Sequence, residues 1–187
     1  MATTIFDKIQ PDPTASYKWY QDQVRKITNV RGQTERLMKS SGLLTNKPLP
    51  GFMYLFFYDA KHKDTLPYWD QFPLVLPYRP VQDGFYGLNL HYLPYLMRFR
   101  ILGKLHEYAS NDKNDITTKV KLSWKLLSGA AALKPLQVCV KHYLYAHVES
   151  RFLTIAYPDW VTASQLPVEK FVGANKTAVW RDTRNKY

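Results

Sequence analysis

The run Phe52-Met53-Tyr54-Leu55-Phe56-Phe57-Tyr58 is apolar or aromatic at every position. It is too short for a free-standing helix, and its aromatic content favours extended backbone, so it requires a strand buried on both faces or nearly so. The residues that follow supply its neighbours. Asp59 to Asp64 is a polar, lysine-bearing turn, and Phe72 to Pro77 is a second strand, which Pro73 and Pro77 restrict to a sheet edge or a strand end. Asp83-Gly84 offers a turn with a glycine for positive φ, and Phe85 to Tyr92 is the third strand. Three closely spaced strands make a meander, with Phe56 and Leu88 expected in its core.

Helical patterns flank this block. Pro11 and Pro13 make the first fifteen residues an extended arm, and Ser16 is placed to cap a helix running to about Lys39. At about 100° per residue, Tyr20, Val24, Ile27, Thr34 and Met38 share one side, while Lys18, Arg25 and Arg36 cluster opposite them. Gly42 ends that helix, and Thr45 to Pro50 reads as a linker. A second helix starts near Pro94 with Tyr95, Phe99, Leu102, Leu105 and Tyr108 at helical spacing, and Arg98, Arg100 and Lys104 fall off that stripe. Residues 119–133, with Lys119 and Lys121, fit both periods and are assigned to helix. A further helix opens at Pro135, with Leu136, Cys139, Val140, Tyr143, Leu144 and His147 on one face. Arg151 to Tyr157 alternates as a strand, Pro158-Asp159-Trp160 starts a helical turn, and Val168 to Val172 forms a last short strand.

Strands, then helices, then strands again point to an α+β fold. The expected architecture is a small, mostly antiparallel β-barrel, with an SH3-like barrel as one form, an inserted helical bundle at about 94–148 and an N-terminal amphipathic helix. Residues 1–50 then form an arm, helix and linker, and 51–187 a single α+β domain.

Charge separates this scaffold from its surroundings. The chain of 187 residues carries a formal charge of +11, divided as +4 over residues 1–50, −1 over 51–97 and +8 over 98–187. Such an excess outside a neutral aromatic middle favours an anionic partner, with nucleic acid first. A membrane surface fits less well, because the basic N-terminal helix opposes its cations with Tyr and Val more than with Leu, Phe and Trp. No segment approaches the roughly 20 apolar residues of a membrane span, and the N-terminus lacks a secretory pattern, so a soluble, non-secreted protein is expected. Cys139 is the only cysteine, which excludes an internal disulfide. It sits on an apolar helical face and reads as a buried, inert thiol.

Recognisable catalytic motifs are few. There is no phosphate-binding Gly-rich loop, no nucleophile elbow and no His-Glu-x-x-His. A magnesium-dependent nuclease needs two acids and a lysine, for which Asp159, Glu169 and Lys170 are candidates. Adjacent Glu169 and Lys170 point to opposite faces of a strand, so the set does not converge. The histidines read as structural or exposed, and no enzyme activity, cofactor or metal is expected. Basic side chains interleaved with aromatics remain. The candidate DNA-binding residues are Lys18, Arg25, Arg36, Arg98, Arg100, Lys104, Lys119, Lys121, Trp180, Arg181, Arg184 and Lys186, the cations for phosphates and Trp180 for stacking on an exposed base. Core packing and solvated faces account for many such neighbours.

The blocks Gly51-Phe52-Met53-Tyr54-Leu55-Phe56-Phe57-Tyr58-Asp59-Ala60-Lys61, Leu66-Pro67-Tyr68-Trp69-Asp70-Gln71-Phe72-Pro73-Leu74-Val75-Leu76-Pro77 and Asp83-Gly84-Phe85-Tyr86-Gly87-Leu88-Asn89-Leu90-His91-Tyr92-Leu93 resemble virion proteins of T4-like tailed phages. Together with Arg151-Phe152, Pro158-x-Trp160, Leu166-Pro167, Phe171 and Val179-Trp180, they are similar to the DNA end protector and head completion family over about residues 50–182. The resemblance implies a virion protein that binds the termini of packaged double-stranded DNA, shields them from host exonuclease and assists head completion. Its partners would then be DNA ends and virion proteins of the neck or tail, in the virion and in the host cytoplasm during assembly and after injection. A structural neck, tail or baseplate component without end binding is the alternative. The matching words are aromatic, Pro and Gly positions and carry over no DNA-contacting residue.

Overall fold

Side chains of a strand point alternately to its two faces, and that alternation sorts the aromatic run into two cores. The computed structural model describes residues 6–10, 12, 14–27, 37–39, 43–109, 125, 127–129 and 134–186. Its strands are β1 (Leu44–Thr45), β2 (Met53–Leu55), β3 (Trp69–Asp70), β4 (Leu74–Val81), β5 (Gly84–Asn89), β6 (Val140–Leu144), β7 (Phe152–Ile155) and β8 (Phe171–Val172). Six of them form one antiparallel sheet in the order β1-β7-β2-β4-β5-β6, while β3 and β8 pair as a separate ribbon. Met53, Leu55, Leu74, Leu76, Leu88, Leu153 and Ile155 enter an aliphatic core on one face of the large sheet. Tyr54, Phe56, Val75, Phe85, Tyr143 and Phe152 form a second, largely aromatic cluster. Phe56 is its centre, with ring centroids 4.8 Å from Phe152, 5.2 Å from Tyr143 and 6.1 Å from Phe85.

The meander β2-β4-β5 is present as expected, but β1 and β6 end the sheet without pairing to each other, so no closed barrel forms among the described residues. The prolines mark where β4 has an end or a single neighbour: Pro73 precedes the strand, and Pro77 lies in its one-sided half. Its first residues pair with β2 on one side and β5 on the other; from Pro77 on, only β5 remains, and the register shifts between Pro77 and Arg79. Proline is tolerated there because the strand has lost one partner. Gly84 is needed for closeness rather than for a positive φ: a Cβ at this position would overlap the Tyr143 carbonyl in the neighbouring strand.

The helices are α1 (Tyr17–Ile27), α2 (Tyr95–Ala109), α3 (Lys134–Gln137), α4 (Trp160–Gln165) and α5 (Lys176–Arg184). Ser16 caps α1 by accepting from Trp19 N at 3.2 Å, and Asn175 caps α5 through Ala178 N at 2.9 Å. Tyr20 and Val24 of α1 are buried, and Gln21 donates to Gln165 of α4 at 2.6 Å. Ile9, Val24 and Leu37 belong to the aliphatic core, so residues before 51 help to cover the sheet. The helix expected from Pro135 stops at Gln137, and Val140–Leu144 is instead strand β6, inside the span assigned to a helical bundle. Its apolar residues have helical spacing, but the open side of β5, approached closely at Gly84, takes them up as a strand. The basic C-terminal segment, read as a tail, is helix α5 with Val179 and Thr183 buried.

A polar network runs between these layers. Arg98 of α2, expected on the solvent side of its helix, is 0% exposed. Its guanidinium donates to the carbonyls of Leu93 at 2.7 Å, Ser164 at 3.0 Å and His91 at 3.2 Å, and lies 2.8 Å from Glu169 Oε1. Lys176 and the Tyr95 hydroxyl reach the other Glu169 oxygen at 3.7 and 3.2 Å. Beside this group, His91 Nδ1 lies 2.8 Å from Asp70 Oδ2, which also accepts from Asn89 at 3.1 Å, and Asn89 donates to Tyr143 at 3.0 Å. Burial pushes the Glu169 carboxyl up, but Arg98, with His91 and Lys176, holds it on balance below the ordinary value. Burial likewise opposes ionisation of Asp70, and His91, Asn89 and the Phe72 amide outweigh it.

Three outcomes follow from this packing. Phe56→Ala lowers stability by about 3–5 kcal/mol, read by chemical denaturation, because it empties the aromatic cluster. Arg98→Ala leaves Glu169 buried without its main partner and costs about 3–5 kcal/mol, whereas Arg100→Ala, at an exposed position of the same helix, melts close to the parent. Asp70 and Glu169 bind protons less readily folded than unfolded, so their stabilisation is complete above the unfolded values of about 4 and is lost as pH falls through the lower folded ones. The acid limb of a stability-against-pH curve is therefore shallower for Glu169→Gln than for the parent.

Candidate nucleic-acid interface

The cations proposed from sequence do not behave alike. Lys18 and Arg25 are exposed on α1, where the Arg25 side chain is 78% accessible and 3.7 Å from Asp22. Arg100 and Lys104 are exposed on α2, and Arg181, Arg184 and Lys186 are exposed on or just beyond α5. Helices α1 and α2 touch through Tyr17 and Tyr20 against Phe99, at centroid distances of 5.7 and 6.0 Å, which brings two basic elements together. Arg36, Lys119 and Lys121 lie outside the described residues.

Two candidates are corrected. Arg98 is no surface cation: it is enclosed, and its guanidinium is engaged by three carbonyls and Glu169. An arginine in that state offers nothing to an outside phosphate. Trp180 is half-buried and not a free stacking platform, since its indole N–H donates to the His91 carbonyl at 2.9 Å and its ring packs edge-on against Tyr95 at 5.2 Å. Among the nuclease candidates, Glu169 is likewise held inside by Arg98 and Lys176.

The structure also assembles a site that linear reading does not find. A cleft of about 610 Å³ opens between the 61–70 segment, the β5–β6 side of the sheet and the end of α5. That volume lies within the roughly 300–1,000 Å³ of small-molecule sites. Lys61, His62, Asp83, His142 and Lys186 stand around it, Tyr68, Trp69 and Tyr92 contribute aromatic walls, and Asp70, Asn89 and Tyr143 belong to its interior. Lys141, from β6, also lines it, with its ammonium 4.0 Å from the centre of the Tyr92 ring.

Lys141 is the electrostatic peculiarity of this cleft. Burial lowers its pKa to about 8, an effect that Cys139 partly offsets and Lys186 reinforces. No carboxylate among the described residues lies within ion-pair distance of its ammonium. Burial raises the Tyr92 and Tyr143 hydroxyls, which keeps them protonated, and pushes the Cys139 thiol up to about 12, which keeps it inert. On the sheet surface next to the cleft, Arg79, Tyr86 and His142 occupy paired positions of three adjacent strands. Arg79 lies 4.2 Å over the Tyr86 ring, and His142 stacks on it at 4.6 Å and 11°.

This arrangement can bind an anion with an aromatic or sugar-like appendage; it does not converge nucleophile, base and oxyanion donors on one point. Among the described residues, no group of three or more His, Cys, Asp or Glu side chains is placed to hold a metal ion. Lys141 and Tyr143, two residues apart in β6, share one face of the strand, a placement that is lost if the segment is wound as a helix.

No curated protein and no solved structure matches the chain. A family described as Phage T4 terminal DNA protecting protein matches over residues 2–184, a span that takes in the N-terminal arm and α1 as well as the 50–182 region of resemblance. The chain therefore belongs to the phage T4 terminal DNA protecting protein family.

Proposed function

We propose that this protein binds the ends of packaged phage double-stranded DNA and shields them from exonuclease. The observation that carries the proposal is the family match over nearly the whole chain. The surface supports it: Lys18, Arg25, Arg100, Lys104, Arg181, Arg184 and Lys186 are exposed, and among the described residues only Arg25 of these lies near a carboxylate. Such cations release condensed counterions from a duplex when they meet its phosphates, which gives affinity without base recognition. Protection then needs no chemistry. A protein seated on a terminus excludes the nuclease by occupying the same place, for as long as it stays bound.

A place in the virion, with neck or tail proteins as neighbours, and a part in head completion belong to the same proposal. The host cytoplasm would be the second setting, during assembly and after injection. Among the described residues no helix is long and apolar enough to cross a membrane.

Competition between linear duplex and a covalently closed circle of equal length tests end binding, and digestion of the linear form by an exonuclease tests protection. Linear DNA is expected to compete better and to be digested more slowly with the protein bound. Affinity is expected to fall steeply with salt, and each phosphate-contacting cation removed, as in Lys104→Ala or Arg181→Ala, lowers the log–log slope by about 0.9. Equal competition by circle and linear DNA would instead favour a structural neck, tail or baseplate role.

A further inference from the structure

A duplex presents its internal phosphates on the outside of a cylinder, where protruding cations meet them. Lys141 is half-buried rather than extended into solvent. Its ammonium lies over the Tyr92 ring within the cleft, so a group reaching it has to project into the protein. The end of a strand can project in that way without the cost of unstacking an internal nucleotide. A terminal phosphomonoester also carries more charge than an internal phosphodiester, close to two negative charges near neutral pH.

We propose that this cleft receives the terminal phosphomonoester of a DNA strand, with Lys141 at its base, Lys186 and Lys61 at its rim, and the last nucleotide beside Tyr68. The inference rests on the reading of the protein as a DNA-end binder and assigns the place where an end differs from a duplex interior. Tyr143, which lines the cleft, has its hydroxyl held by a hydrogen bond from Asn89. The one carboxylate deep in the cleft, Asp70, does not stand unmatched against the incoming anion. Its oxygens already face His91, Asn89 and the amides of Phe72 and Lys170. The lowered pKa of Lys141 fits the same picture, since a charge left poorly solvated and next to Lys186 gains more from a bound anion than a solvated one does.

The test compares blunt duplexes of one sequence that end in 5′-phosphates, 3′-phosphates or hydroxyls only, titrated against the full chain, with the linear-against-circle competition run in parallel. One phosphorylated form is expected to bind about tenfold more tightly than the hydroxyl form, and the arm that gains identifies which strand end enters. Lys141→Gln is expected to abolish that gain in a protein whose melt matches the parent. Should this variant melt early, Lys186→Gln and Lys61→Gln, both at exposed positions, are expected to reduce the gain. Equal binding of all three duplexes while linear DNA still outcompetes the circle would overturn the cleft assignment and leave end binding standing. Loss of the linear preference together with any phosphate effect would overturn both. A phosphate preference that survives in the Lys141 and Lys186 variants would place the terminal phosphate elsewhere.

Discussion

The guanidinium of Arg98 is the constraint around which the non-sheet half of the molecule is arranged. A buried cation is tolerated only when its hydrogen-bonding protons and its charge are both met. Here the carbonyls come from the 91–93 turn and from α4, and the charge is met from the Glu169 side. Trp180 of α5 shares the His91 carbonyl with it, and Thr183 bonds the Tyr92 carbonyl at 3.0 Å. One side chain thus sets the relative positions of α2, α4, α5 and the segment leading out of β5. Those same positions define the α5 side of the cleft, where Thr183 and Lys186 stand.

The parts of the fold legible in the sequence are those with local causes. The Phe52–Tyr58 run demanded burial on both faces, and it lies between an aliphatic and an aromatic core. Ser16 and Pro158 marked helix starts through their own chemistry, and Tyr20 and Val24 pointed inward as the helical period requires. What was not legible depended on partners distant in the chain. Arg98 off an apolar stripe looks like any solvated arginine until Glu169 is brought beside it. The segment 140–144 carries its apolar residues at helical spacing, and it is a strand because β5 has a side left to pair.

The candidate site divides in the same way. Exposed cations such as Lys104 and Arg181 follow from composition and helical phase, because solvation is the default for a lone charge. The cleft draws on residues 58–70, 83–92, 138–144 and 183–186 at once, so no window of sequence contains it. Lys141 was hidden twice, by a helical assignment of its segment and by the ordinary expectation that lysine faces water.

The strand order has a consequence for how the molecule is made. In the series β1-β7-β2-β4-β5-β6, the strand that stands between the first two is drawn from residues 152–155. During synthesis β1 and β2 emerge long before the segment that joins them. Until then the outer side of β2 offers unpaired amides and carbonyls next to aliphatic side chains, the kind of surface that recruits foreign strands. Its pairing must bridge from Tyr54 to Thr154 and from Leu44 to Leu153, and such distant closures are slow relative to hairpins. The β4–β5 hairpin can form early from adjacent chain, whereas the junction between the N-terminal segment and the meander is sealed only after residues 152–155 have emerged.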